Sequence, residues 1–182
     1  LHSFPTRRSS DLIQQLRITH IGYFPHAKFH YCFRRGGCSD NILIYCIRGK
    51  GWCRHGTQFF TINPNQYIII PASSNNLVYG TDEGEPWTIY WVHFTAPKLA
   101  VFNNALDIHI ENGPQTIHFN QKGLEIWEEM YDSLEKGLDL KNLRKANFCL
   151  YHFLATFLYA EERKPEAVLG DQVTTTIHYM RQ

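Results

Sequence analysis

The sequence predicts a barrel or sandwich of short antiparallel strands followed by two long amphipathic helices, a mostly β chain with an α-helical end. Three observations carry this. Residues 16–95 hold short β-branched and aromatic runs separated by Gly, Pro and Asn turn signals. After Pro97 the apolar residues take up the three-and-four spacing of helices. The charge changes at the same place: residues 13–95 carry seven Lys/Arg against four Asp/Glu, and residues 96–170 carry eight against eleven.

In chain order, residues 42–47 (ILIYCI) are a β-branched run that ends at Arg48-Gly49-Lys50-Gly51. Two glycines supply positive φ there, so the expectation is a tight hairpin returning through residues 52–54. His55-Gly56-Thr57 turns again, residues 59–62 lead to Asn63-Pro64-Asn65, and residues 67–70 form a strand stopped by Pro71. Residues 77–79 are a short strand, and residues 87–94 (WTIYWVHF) the last strong one. On that strand Trp87, Ile89, Trp91 and His93 share one face, and Thr88, Tyr90, Val92 and Phe94 the other. Apolar residues on both faces put one toward an interior and the other under a second layer. Residues 98–106 read as a short helix and 116–119 as a final strand. Residues 124–138 and 142–163 read as amphipathic helices, the second with a stripe of Leu143, Ala146, Leu150, Phe153, Leu154, Phe157 and Leu158.

Length and composition narrow the classes. A chain of 182 residues and 21.3 kDa suits one domain and can bury a core without disulfides or metals. Its longest apolar run, residues 42–47, is too short to span a bilayer. A net charge of +1 argues against a whole-surface polyanion binder. Five cysteines without a CxxC read as reduced thiols of a cytoplasmic protein. Residues 1–12 (LHSFPTRRSSDL) have no periodicity and no apolar signal core, and read as a disordered or adaptor-derived tail. The first residue is not Met and Gln182 ends an apparent helix, so the chain reads as a fragment of a longer protein.

Catalytic signals are missing. No His-x-His occurs among the ten histidines, residues 31–46 contain one acid, Asp40, and no histidine follows Pro71 closely. Neither a metal nor another cofactor is therefore expected. There is no Gly-x-Ser-x-Gly and no phosphate-binding glycine loop, so no enzyme is expected. The acids at 125, 128, 129, 132 and 135 lie largely on the polar side of a helix. The aromatic strand is more informative. A Trp lining a cavity stacks on an apolar sugar face or a flat ring, and Arg34 can supply a charged donor.

Three blocks in order carry a resemblance. They are Asn41-Ile-Leu-Ile-Tyr-Cys-Ile-Arg-Gly-Lys-Gly-Trp52, then Ile69-Ile-Pro-Ala72 with Tyr79-Gly80, then Pro86-Trp-Thr-Ile-Tyr-Trp-Val-His-Phe94. Together they resemble the N-terminal sensing domain of AraC-type transcriptional regulators, over roughly residues 16–164. The resemblance implies a cupin-like effector-binding barrel over 13–119 and a helical dimerisation segment over 120–164. It also implies a linker and the start of a truncated helix-turn-helix DNA-binding domain over 165–182. Matched to the arabinose-binding type of domain, the sugar-contacting Arg, Tyr and Trp fall on Arg34, Tyr79 and Trp91. A contacting His falls on Ile89, which removes a polar partner, and a first-strand contact falls near Phe24. Asn65-Gln66 stands where cupins usually carry Gly-Asp, and Asn tolerates the left-handed turn. The dimer contact falls on Leu143, Leu150, Leu154, Phe157 and Leu158. The implied partners are a sugar-like small-molecule effector, a second copy of the chain, and DNA only through the C-terminal domain, with no membrane. Two rivals stay open: a structural dimerisation module with a filled barrel, and a cupin enzyme, which requires stoichiometric metal.

Overall fold

Strict alternation within three central strands organises the molecule, a computed structural model that describes residues 16–160. Strands β1 (Arg17–Phe24), β2 (Tyr31–Arg34), β3 (Asn41–Arg48), β4 (Gly51–His55) and β5 (Gln58–Ile62) come first. Strands β6 (Gln66–Ile70), β7 (Leu77–Thr81), β8 (Thr88–Thr95) and the two-residue β9 (Gln115–Thr116) follow. One five-stranded sheet runs β1-β8-β3-β6-β9, and a four-stranded sheet runs β2-β7-β4-β5. All pairs within the two sheets are antiparallel. Side chains alternate across a strand. Ile42, Ile44, Cys46, Ile68, Ile70 and Ile89 thus enter the core between the sheets, with Cys53, Leu77, Tyr79 and Trp87. Leu43, Tyr45, Tyr67, Ile69, Tyr90, Val92 and Phe94 enter a second core under the helices. The two-faced reading of residues 87–94 holds for this reason.

The helices are α1 (Leu99–Ala105), α2 (Gln121–Glu135) and α3 (Leu140–Leu158). Asn120 caps α2 by accepting from the Gly123 N–H at 2.9 Å. Asp139 caps α3 by accepting from the Lys141 and Asn142 N–H groups at 2.8 and 3.1 Å. Tyrosines pin this pair to the sheet. The Tyr45 hydroxyl accepts from Asn120 N at 3.1 Å, and the Tyr67 hydroxyl donates to the Phe157 carbonyl at 3.1 Å. The expected mostly β chain closed by two long helices is the architecture observed, as a cupin-like sandwich of two antiparallel sheets.

Two local expectations need correction. Arg48-Gly49-Lys50-Gly51 is not a hairpin: β3 pairs with β6 and β8, and β4 pairs with β5 and β7 in the other sheet. The turn is a corner between sheets. Gly49 takes φ +66°, and a Cβ there would stand 2.2 Å from the Pro86 carbonyl oxygen, so the corner is wedged against residues 85–86. Lys50 adds an ion pair to Glu85 at 2.8 Å. The strand expected over residues 116–119 shrinks to Gln115–Thr116 paired with β6. Asn65 does take the left-handed conformation expected of it, φ +59°. Residues 1–12 and the expected helix-turn-helix start over 165–182 lie outside the described residues.

Candidate functional site

The inner face of β8 sets the site. Ile89, Trp91 and His93 pair with Phe24, Gly22 and His20 of β1, so these six positions share one surface. Across the interior, β2 and β7 present Arg34 and Tyr79, two residues apart in register. Ring contacts join the two walls. Phe24 lies 5.5 Å from Trp91 and 4.7 Å from His30, centroid to centroid, and His30 lies 5.7 Å from Tyr79. Trp91 lies 5.3 Å from His93, edge to face. Tyr79 and Arg34 are close enough to interact electrostatically, as are Arg34 and His93. Phe24, Trp91, His93, Arg34, Tyr79 and His30 thus close a frame between the sheets. Toward the Trp87 end the interior is filled by fully buried Ile and Trp side chains.

Two donors in this frame are unsatisfied. Arg34 Nε and Trp91 Nε1 are buried and have no hydrogen-bond partner. Leaving such a group unpaired costs about 1–3 kcal/mol, so each favours an acceptor oxygen brought from outside. Burial, and then the Cys32 thiol, push the Tyr79 phenol up to about 12, so at neutral pH it stays a neutral hydroxyl able to donate and accept. Burial lowers the His30 pKa, and its Nδ1 accepts from Trp87 Nε1 at 3.1 Å. Burial, Arg34 and His20 together hold His93 down to about 4, against an opposing pull from Asp40. Burial also pushes the Cys46 and Cys53 thiols up to about 12, so neither is a thiolate nucleophile.

The structure therefore brings Arg34, Tyr79, Trp91 and Phe24 into one frame. Ile89 lies beneath it, fully buried in the core between the sheets. His30, His93, His20 and Asp40 complete the surroundings, and none of them was assigned to the ligand from the sequence. The shared face of His93 and Trp91 was the available signal for one of them. The residues assigned to a dimer contact differ in burial within this chain. Leu150, Leu154 and Phe157 are buried in this chain's own helical core, and Leu143 and Leu158 are half-buried. The outward face of α3 carries Leu140 and Phe148, 62% and 61% exposed. Together with Glu129, Lys141, Arg144, Lys145 and Cys149 they line an open groove.

A family model described as "AraC-like ligand binding domain" matches residues 20–116. Similar solved structures include the AraC-like transcriptional activator CuxR, 9% identical, with a TM-score of 0.48, covering 83% of this chain and 55% of that one. ToxT from Vibrio cholerae is 10% identical, with a TM-score of 0.38, covering 92% and 71%. The plu4264 protein from Photorhabdus luminescens is 20% identical, with a TM-score of 0.31, covering 43% and 63%. The matches thus take in 63% and 55% of the length of the plu4264 protein and CuxR. No curated protein matches the sequence. Among the described residues no helix is long and apolar enough to cross a membrane.

Proposed function

The chain belongs to the family of AraC-like ligand-binding domains, and from that premise we propose that it senses a small, hydroxyl-rich effector at the frame between its sheets. The observation that carries this reading is the pair of buried, unpartnered donors, Arg34 Nε and Trp91 Nε1. A sugar or related polyol stacks an apolar face on Trp91 and offers hydroxyl oxygens to Arg34, Trp91 and Tyr79. Phe24, 37% exposed and 5.5 Å from Trp91 ring to ring, adds an apolar contact at the frame. Ile89 contributes apolar floor where a polar contact is lost.

Signal transfer requires the effector to favour one of two arrangements of the domain. Strand β1 is the element in a position to report. It carries His20, Gly22 and Phe24 toward the frame, and the Ile18 N–H donates to Asn147 Oδ1 of α3 at 2.9 Å. We assign the helical segment to self-association through the outward face of α3, and transcription regulation to a DNA-binding region beyond the described residues. The test is calorimetry against a panel of mono- and oligosaccharides, with Trp91→Ala/Arg34→Ala as control. Saturable binding to the parent chain and at least a tenfold loss in the double variant are expected. Binding of parent strength in the double variant would overturn the site.

A further inference from the structure

Three side chains from separate segments converge at the solvent end of the five-stranded sheet. They are His20 of β1, His93 of β8, and Asp40 at the entry to β3. The register explains the convergence. His20 pairs with His93, His93 pairs with Ile42, and Asp40 precedes Ile42 by two residues, which returns it to the same face. A bulge assists: the β1–β8 register slips between Ile18 and His20, leaving Thr19 extra and setting His20 opposite His93. The Thr19 hydroxyl then donates to Asp40 Oδ2 at 2.6 Å, so one irregularity supplies both a donor group and the brace for another.

One nitrogen or oxygen from each residue lies within 4.8 Å of the other two, yet no hydrogen bond or ion pair joins any two of them among the described residues. We propose that His20, Asp40 and His93 form a binding site for a divalent transition-metal ion of the zinc and cobalt class. Two imidazoles and one carboxylate suit such ions better than magnesium or calcium, which prefer all-oxygen sets. Metal bonds of about 2.0–2.2 Å bring donor atoms closer than their present spacing, a change that small side-chain rotations supply. His93 is 4% exposed and so fixed by its surroundings. His20 is exposed, which leaves coordination positions open on the solvent side. Thr19 plays the part of an outer hydrogen-bond partner that orients a ligating carboxylate. Arg34, on the facing sheet, is the cation that opposes the ion. It also gives an anionic group bound at the open positions a second positive partner.

The site does not rest on the effector reading. The experiment is titration of the metal-stripped 182-residue chain with Co2+, followed by visible d–d absorption, with equilibrium dialysis against Zn2+ and Mg2+. One Co2+ per chain, displaced by Zn2+ and not by Mg2+, is expected. His20→Ala, at an exposed position, and Asp40→Asn, at a half-buried one, should each weaken binding at least tenfold while circular dichroism stays unchanged. Thr19→Val should weaken it by about tenfold or more. Absence of Co2+ binding by the parent chain overturns the proposal. So does binding of parent strength in the His20→Ala/Asp40→Asn double variant.

Discussion

The indole of Trp91 lies across Gly22 of the neighbouring strand, so close that a Cβ at position 22 would stand 2.3 Å from Trp91 Cζ2. The absence of a side chain on β1 therefore fixes where the stacking platform sits. Gly22→Ala should drive the ring off its seat. Overpacking of this kind costs about 1–3 kcal/mol. Urea denaturation should show that loss, and saccharide binding should fall with it. An alanine variant with parent stability and parent binding would mean that the ring swings freely, which removes it as a fixed platform.

The helical segment divides sharply between buried and outward residues, and the two classes should answer differently to substitution. Leu150 is fully buried against the sheet. Leu150→Ala should cost about 2–5 kcal/mol in unfolding measurements. Phe148, on the outward face, should leave stability within about 0.5 kcal/mol when changed to Glu. If the chain self-associates through this face, as proposed, sedimentation should show a dimer for the parent chain and a monomer for Phe148→Glu. A dimer that survives Phe148→Glu places self-association elsewhere.

Asn41 and Asn103 bond to each other reciprocally inside the protein, at 2.6 and 3.0 Å, and Asn41 Oδ1 also accepts from the Ala72 N–H at 2.9 Å. This amide pair anchors α1 to the start of β3. Asn41→Ala leaves Asn103 and the Ala72 N–H unpaired, at about 1–3 kcal/mol for each buried group. Asn41→Ala/Asn103→Ala should cost clearly less than the sum of the single changes, because the second substitution removes a group the first has orphaned. Additive losses in a denaturation cycle would show that the two amides act independently.

The sheets and helices were legible because their signals are local. The β-branched run at 42–47 and the aromatic run at 87–94 reveal strands without knowledge of their partners, and α2 and α3 declare themselves by apolar spacing. Pairing was less legible. Arg48-Gly49-Lys50-Gly51 has hairpin chemistry, and only Pro86 and Glu85, distant in sequence, make it a corner. The stripe on α3 was readable as apolar, but periodicity does not say whether a sheet or a second helix covers it. The frame was half visible, since Arg34, Tyr79 and Trp91 fall on matched positions. The His20, Asp40 and His93 cluster was hidden, because a bulge and two strand pairings bring together residues up to 73 positions apart.

His30 should make the protein less stable in mild acid. Its Nδ1 accepts from Trp87 Nε1 at 3.1 Å, an arrangement that protonation breaks, and burial lowers its pKa below the ordinary 6.5. The unfolded chain takes up a proton near pH 6.5, while the folded chain resists it to lower pH. The unfolded state thus binds more protons in that window, and stability rises with pH across it. The contribution is fully present above 6.5 and is lost as pH falls toward the folded value. His55 acts in the same direction, since burial lowers its pKa. His93 does so too. The His30 share is isolated by His30→Asn, which keeps an acceptor near Nδ1 and does not titrate. Urea denaturation at pH 7.5, 6.5 and 5.5 should show a shallower loss of stability in the variant than in the parent. Equal slopes would show that the proton taken up on unfolding belongs to other groups.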